Sequence, residues 1–183
     1  GIKSFKIEGR MKRPEYVYAI TKAYRQAIDH QGKANIEELK QLFNRDFTKG
    51  YLFKENQIVS PVFSGNRGVV VGKVVNYDKK NRKLKIKSQM VIHQGDGIRI
   101  GYSDDGKVLN KIYLKGKLVN QVNTNEVFEI DYDTFVKQDT MIYRTTDFSL
   151  EKETNKEMQT ALIRHQVNIS LHGRVGQQAI LSL

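Results

Sequence analysis

The chain has 183 residues, of which 39% are hydrophobic and 9% aromatic, enough to form one or two folded domains with a real core. Its 31 Lys and Arg residues outnumber its 20 acidic residues, and the net charge of +11 favours an anionic partner such as RNA, DNA or acidic lipid, although many soluble domains are simply basic. The absence of cysteine excludes disulfides, thiolate metal sites, cysteine-bound iron–sulfur clusters and cysteine nucleophiles from this chain.

Residues 2–7 alternate in a way that predicts a buried strand, yet no partner strand precedes them. The chain also begins with glycine where a complete protein has methionine. We therefore expect a piece from the C-terminal half of a larger protein. No apolar run reaches the roughly 20 residues of a membrane span, and no signal peptide is recognisable, so a cytoplasmic protein without a membrane partner is expected.

Two helices are predicted next. From Pro14, apolar residues recur at steps of three and four, which is typical of one helix running to about residue 31. Gly32 ends that helix, and Asn35 followed by Glu38 has the form of a capping box for a second, shorter helix. Together they predict a helical hairpin within residues 1–54, followed by an ordered linker at 55–67.

Residues 68–147 predict a small, mostly antiparallel β-barrel. Seven short apolar runs alternate with turn residues at intervals of about ten, and so small a sheet is expected to close on itself and cover its edges. The predicted strands are Val69–Tyr77, Leu84–Ile86, Gly97–Ile100, Val108–Leu114, Leu118–Val122, Val127–Ile130 and Met141–Tyr143. The predicted fold class is therefore α+β.

The remaining residues are predicted to leave the barrel. Residues 148–160 are polar with little to bury, so they are interpreted as a linker. Residues 161–183 contain two predicted strands joined through Gly173 and Gly176, which indicates the truncated start of a further β domain.

Several segments match a known family in order and spacing. They are Ser4–Arg10, Tyr16-Val17, Tyr24-Arg25, Phe43–Arg45, Phe47–Tyr51 and Tyr143–Asp147. This set resembles the end of the core domain and the following small barrel of the U32 peptidases, the collagenase-like proteases. Asp46 stands where the resemblance leads us to expect glycine, a local departure.

The resemblance implies that the family's signature cysteines lie upstream, in a core domain that this chain does not include. A metal or iron–sulfur centre would belong to that core, so no cofactor and no metal site are expected here. The barrel is implied to resemble the second domain of translation elongation factors. The primary functional hypothesis is a C-terminal accessory region of a U32 peptidase that is not itself catalytic and has the upstream core as its partner.

The alternative hypothesis also follows from the resemblance. Some members look like RNA hydroxylation enzymes, which makes this region an RNA-docking module for tRNA or rRNA, in agreement with the positive charge. A third interpretation treats the barrel as a structural cap without a ligand. The sequence leaves all three open.

The residues Lys6, Glu8 and Arg10 share one face of the first predicted strand. If that strand closes an upstream barrel, its C-terminal end is where such barrels place catalytic groups. Glu8 would then serve as an acid, a base or a metal-directed carboxylate, and Arg10 as an anchor for an anion. The alternative is a structural ion-pair cluster.

The strongest nucleic-acid candidate is a group of six cations within nine residues, without an acid among them. These are Lys79, Lys80, Arg82, Lys83, Lys85 and Lys87. If all six contacted single-stranded RNA, the log–log salt dependence of binding would have a slope of about −4. The alternative is a solubilising edge strand protected by lysines.

The remaining motifs are interpreted as structural elements and not as functional sites. Gly65 to Gly68 has a Gly-x-x-Gly form but precedes a strand, and Asp104-Asp105-Gly106 is typical of a hairpin turn. The four histidines have no metal-ligand spacing.

Overall fold

The protein is described by a computed structural model that covers residues 3–30, 32, 34–44, 47–55, 65–103, 106–160 and 167–182. Three helices lie beside an eight-stranded antiparallel sheet that curls into a half-barrel, which confirms the predicted α+β class. No helix among these residues is both long and apolar enough to cross a membrane. Position 46 and the predicted Asp104-Asp105 turn lie outside the described residues.

The predicted helical hairpin is present. Helix α1 spans Pro14–Ile28 and helix α2 spans Ile36–Leu42. The side chain of Asn35 accepts a hydrogen bond from the backbone N–H of Glu38, as the capping pattern predicts. Their apolar faces meet in a small core, whose buried residues are Ala19, Ala23, Leu39 and Leu42.

The predicted polar linker at 148–160 is wrong, because these residues form helix α3, Phe148–Thr160. Asp147 caps the helix by accepting from the backbone N–H of Leu150. The helix packs back against α1, where Lys22 Nζ lies 2.5 Å from Glu157 Oε2. Capping and cross-helix ion pairs stabilise a segment that has almost no apolar stripe, so hydrophobic periodicity did not predict it.

The half-barrel contains eight of the first ten strands, in the order β5-β4-β10-β1-β2-β9-β6-β7. Strands β3 and β8 pair separately. The ten strands are β1 Val69–Asp78, β2 Lys83–Ser88, β3 Ile92–His93, β4 Gly97–Ile100, β5 Gly106–Val108, β6 Ile112–Leu114, β7 Lys117–Val119, β8 Gln121–Val122, β9 Val127–Asp131 and β10 Met141–Thr146. The terminal strands β5 and β7 have three residues each.

Two predicted strands are each divided in two. The run 108–114 contributes to β5 and β6, which pair with different strands, β4 and β9. A tight turn separates them, in which the N–H of Asn110 donates to the carbonyl of Val108 and Leu109 remains buried. The run 118–122 is divided between β7 and β8 in the same way.

The core of the half-barrel is continuous. Inward-facing residues of the curled sheet enclose the fully buried ring of Phe128 together with aliphatic side chains from most strands. Deleting such a side chain typically costs about 3–5 kcal/mol. Outward-facing residues alternate with these, so the lysines of β2 lie on the opposite face from Leu84 and Ile86.

The predicted first strand is wrong for the described part of it. Residues 3–9 form neither a helix nor a strand, and Phe5 is half exposed beside the ring of Tyr24. Its apolar alternation therefore does not produce burial here. At the other end, β11 Ser170–His172 and β12 Ile180–Ser182 form an isolated hairpin. Residues 161–166 of the predicted C-terminal strands lie outside the described residues.

Candidate functional site

A buried ion cluster joins the half-barrel to the helices; it consists of Arg144, Asp96 and Asp147. Arg144 Nη1 lies 3.2 Å from Asp96 Oδ2, and Arg144 Nη2 lies 3.0 Å from Asp147 Oδ2. Arg144 Nε donates to the side chain of Gln41 on α2 at 2.8 Å. Asp96 is fully buried and also accepts from the backbone N–H of Phe148, at the start of α3. The cluster satisfies every charge it buries, so its role is to fix the helices on the sheet.

The first predicted site lies outside this junction. Lys6 Nζ and Glu8 Oε1 are 2.7 Å apart, with side chains 85% and 70% exposed. Arg10 is exposed in the turn that follows. The geometry matches the structural alternative, a surface ion pair, while a catalytic role for these residues stays a prediction about the parent protein.

The six predicted cations lie along β2 and the turn before it. Two of them form what we call the charge ladder with the neighbouring strand: Lys83 Nζ lies 2.5 Å from Asp131 Oδ1, and Lys85 Nζ lies 3.2 Å from Glu129 Oε1. The antiparallel register of β2 and β9 sets both pairs opposite one another. The row of lysines is therefore neutralised along its middle.

Both partners of the first pair in the charge ladder have altered proton affinity. The hydrogen bond from Lys83 lowers the pKa of Asp131 below its ordinary value. Burial opposes the charge of Lys83, but the hydrogen bond and charge of Asp131 and the neighbouring Tyr113 together raise the pKa of Lys83. The Lys83 ammonium also lies 3.4 Å from the centre of the Tyr113 ring. Both groups stay charged over the whole neutral range.

The remaining predicted cations differ from these two. Lys79 and Lys80, which we call the basic turn, are exposed, and no carboxylate of the described residues lies within ion-pair distance of either. Lys87 is also exposed and faces Val127 across the ladder. Arg82 reaches Asp133 at 3.4 Å, but both side chains are mostly exposed, so solvent screens the pair.

A second cationic feature was missed by the sequence interpretation. A groove between α2 and the start of β1 is lined by Phe47, Arg67, Tyr143 and their neighbours, and Tyr102 packs beside Tyr143 with ring centroids 6.0 Å apart. Phe47 is 44% exposed and Tyr102 is 55% exposed. No run of aromatic residues marks this groove in the sequence, because its rings come from three separate segments.

The loop that carries Arg67 is held from several sides. Asn66 Oδ1 accepts from the backbone N–H of Asn44 and of Gly68, and Asn66 Nδ2 donates to the carbonyl of Thr145. The guanidinium of Arg99 donates to the carbonyl of Arg67 at 2.9 Å. Gly68 has a φ of +69°, and an added Cβ would lie 2.4 Å from the carbonyl oxygen of Arg144. The loop is thus a packed support for Arg67.

The part of the chain that the structure describes contains no group of side chains suited to bind a metal ion. Its His, Asp and Glu residues form no group of three or more that could hold a metal ion. His93 lies in the short strand β3, and His172 lies in the isolated hairpin.

Comparison with known proteins supports the resemblance to a known family. The sequence model of peptidase family U32 matches residues 1–60. An uncharacterized protease of Methanocaldococcus jannaschii is 29% identical over 158 residues, which are 76% of this chain and 39% of that protein. The first 60 residues of this chain thus match peptidase family U32. The resemblance first noted in Ser4–Arg10 is thereby confirmed.

Other relatives of this chain carry two kinds of name. A collagenase of Porphyromonas gingivalis is 29% identical over 61% of the chain and 30% of that protein. The tRNA hydroxylation protein P1 of Bacillus subtilis is 32% identical over 54% of the chain and 26% of that protein. The chain therefore spans between about a quarter and two fifths of the length of these relatives.

A solved structure also aligns with part of this chain. It is the C-terminal domain of a protein from Geobacillus thermoleovorans named as a U32 peptidase, with a TM-score of 0.38 and 14% identity, covering 42% of this chain and 91% of that domain.

Proposed function

We propose that this chain is a non-catalytic accessory region of a U32-family enzyme and that it docks RNA, in particular tRNA or rRNA, for a catalytic core elsewhere in the protein. The observation that carries the proposal is the uneven pairing of the cations of β2. Asp131 and Glu129 neutralise Lys83 and Lys85, whereas Lys79 and Lys80 keep their charge at an exposed turn.

Phosphate groups are the natural ligands of exposed ammonium groups that lack an internal carboxylate. An aromatic side chain lies near the same end of the half-barrel: Phe135 is 73% exposed and packs edge-on against Tyr77, two residues before Lys79. Cations beside an exposed ring suit a polymer that carries both phosphates and bases. Two relatives named as tRNA hydroxylation proteins support the same ligand class.

The proposal also includes location and partner. tRNA and rRNA act in the cytoplasm, so docking them there requires a cytoplasmic protein. The core domain that would act on the RNA is the partner that we infer for this region. Lys6, Glu8 and Arg10 would belong to the side of the chain that faces that core.

The second candidate is an accessory region of a peptidase, acting on collagen-like polypeptides. It is favoured by the names of two relatives, a protease that aligns over 76% of the chain and a collagenase that aligns over 61%. The two candidates differ in the polymer that the region binds, so one binding experiment separates them.

The test measures binding of the 183-residue chain to bulk tRNA, to rRNA and to a collagen-like peptide over a series of salt concentrations. Wild-type chain should bind RNA with micromolar affinity and a steep salt dependence. Changing Lys79 and Lys80 to Gln should reduce the log–log slope by about 1.4, from about 0.7 for each phosphate contact.

The matched control changes Lys83 and Lys85 to Gln, which removes the same charge from the same strand region. Because those lysines already have carboxylate partners, the slope should change less. Binding of the peptide with no RNA binding at low salt would contradict the proposal and favour the peptidase accessory region.

A further inference from the structure

We infer that Phe135 stacks on an unpaired base of RNA while Lys79 and Lys80 hold the flanking phosphates, so that this end of the half-barrel selects single-stranded RNA. The inference rests on the proposed RNA docking and deepens it, because it names the ring that contacts the base and the kind of RNA that is bound. Phosphate contacts fix a position but read no base. A preference for unpaired bases therefore has to come from the ring.

The first observation is that the basic turn lies beside the loop that carries Phe135. This loop, residues 132–140, joins β9 to β10, and we call it the Phe135 loop. The N–H of Tyr132 at its start donates to the carbonyl of Arg82 at 2.9 Å. The rings of Tyr77 and Phe135 have centroids 6.0 Å apart. Contacts at both ends of the basic turn therefore place the exposed ring next to it.

The second observation is the open face of the Phe135 ring. The planes of Phe135 and Tyr77 are 86° apart, so the two rings meet edge to face. In that arrangement Tyr77 covers at most one face of Phe135, and 73% of Phe135 is exposed. A flat base can lie against the open face, as bases do on the aromatic residues of proteins that bind single strands.

The third observation is that the Phe135 loop is fixed in place although it contains no helix or strand. Val136 packs against the core of the half-barrel, and the N–H of Asp139 donates to the carbonyl of Val74 at 2.9 Å. Thr140 closes the loop by donating from both its N–H and its hydroxyl to one carbonyl of the loop. RNA does not have to order this loop, so less of the binding free energy is lost to conformational entropy.

The carboxylates that flank the basic turn, Asp78 and Asp133, already have partners. Asp78 Oδ1 accepts from the backbone N–H groups of Lys80 and Asn81 at 3.0 and 3.1 Å, and its Oδ2 accepts from the Asn81 side chain at 2.8 Å. These hydrogen bonds, that of the Asn81 side chain most of all, lower the pKa of Asp78, so the carboxylate stays charged and shapes the turn. Asp133 pairs with Arg82. The ammonium groups of the basic turn are therefore left to an external anion.

The combination of ring and cations favours a single strand. A base inside a double helix is stacked between its neighbours, whereas an unpaired base can turn out and lie on an aromatic ring. The phosphates on either side of that base then meet the long, flexible lysine side chains of the basic turn. An acidic peptide offers carboxylates but no row of flat bases, so binding to a peptide is treated as an outcome of the test.

The experiment compares binding of the full chain to three RNA ligands of the same length: an oligouridine, a ribose-phosphate oligomer without bases, and a duplex. The first two carry the same phosphates and differ only in the bases, so their difference in affinity measures contact with a base. Wild type should bind oligouridine between about fivefold and a hundredfold more tightly than the oligomer without bases, which is the range for one stacked base.

Two variants separate the ring from the cations. Phe135→Leu should lose the preference for oligouridine by the same factor and should bind the other two ligands like wild type. Because it removes no charge, the log–log salt slope should not change. Lys79→Gln/Lys80→Gln should have the opposite effect: a smaller slope for all three ligands, with the preference for oligouridine retained. Phe135→Tyr keeps a ring and should restore the preference.

The matched control is Phe148→Leu, the same change at a half-exposed ring at the start of α3. The N–H of Phe148 donates to Asp96, which pairs with Arg144, and Arg144 lies opposite Val69 at the start of β1. The basic turn follows the end of this ten-residue strand, roughly 30 Å away. The control should therefore leave the preference unchanged. Circular dichroism and thermal unfolding verify that each variant is folded.

Three results overturn the inference. If wild type and Phe135→Leu bind oligouridine no better than the oligomer without bases, while the lysine variant loses affinity, the ring contacts no base and RNA docking through phosphates stands. If Phe135→Leu weakens duplex binding as much as oligouridine binding, or if Phe148→Leu gives the same loss, the ring does not select unpaired bases. If wild type binds an acidic peptide but none of the three ligands and no tRNA, the proposed function fails and the inference fails with it.

Discussion

Arg144 pairs with carboxylates inside the junction, whereas Lys83 and Lys85 of β2 pair with carboxylates on the outer face of the sheet. In the buried ion cluster, removing one partner leaves a charge that water cannot reach. In the charge ladder, water replaces a lost partner at little cost. The buried ion cluster therefore affects the free energy of unfolding, whereas the charge ladder mainly affects the charge of the surface.

The largest expected effect on the free energy of unfolding is in the buried ion cluster. Asp96→Ala should lower the free energy of unfolding by about 3–5 kcal/mol, because Arg144 would remain buried without its carboxylate and the N–H of Phe148 would lose its acceptor. Urea denaturation measures the change. Asp133→Ala is the control, since its pair with Arg82 is exposed, and it should cost about 0–1 kcal/mol. Equal losses in both variants would contradict the comparison.

A smaller effect is expected when acid protonates Asp131 and removes the stability that its pair with Lys83 contributes. The pKa of Asp131 is lowered by Lys83, so the folded carboxylate binds a proton more weakly than the unfolded one, whose pKa is about 3.9. The stabilisation is present above that pH and is lost as the pH falls through the lower, folded pKa. The stability difference between wild type and Asp131→Asn should therefore shrink between pH 6 and pH 3. Urea midpoints of both proteins measure this difference at each pH. If the difference does not change with pH, the pair is not formed in solution.

The smallest effect on stability is expected at Glu129, where the ladder instead controls binding. Glu129→Gln should change the free energy of unfolding by less than about 1 kcal/mol, because the pair is partly exposed. It should strengthen tRNA binding and steepen the salt slope by about 0.7, since Lys85 gains freedom to meet a phosphate. Asp29→Asn, just after the end of α1, makes the same change in net charge at a different surface and serves as the control. An identical gain in both variants would show only a general effect of charge.

Local sequence signals predicted the local structure well. Pro14 and the Asn35 cap located both early helices, because helix starts depend on residues within one turn. Alternation located most strands of the half-barrel. Helix α3 was missed because its cap at Asp147 and its ion pair between Lys22 and Glu157 depend on a fold that brings residues 135 positions apart together.

The candidate sites depend even more on distant contacts. The six cations were visible in sequence, but their neutralisation depends on the β2–β9 register. The spacing of Glu129 and Asp131, which matches that of Lys83 and Lys85, was the one available signal. The groove gave no comparable signal, because Phe47, Arg67, Tyr102 and Tyr143 are brought together only by the packing of α2, the Asn66 loop and β10.

The short terminal strands of the half-barrel affect how the protein behaves in a crowded solution. A long open sheet edge invites other chains to add strands to it, whereas β5 and β7 offer only three residues each, with Lys107 and Lys117 among them. An incoming strand would gain few hydrogen bonds and would have to displace water from an ammonium group. The sheet can therefore remain open at both edges and still resist edge-to-edge self-association.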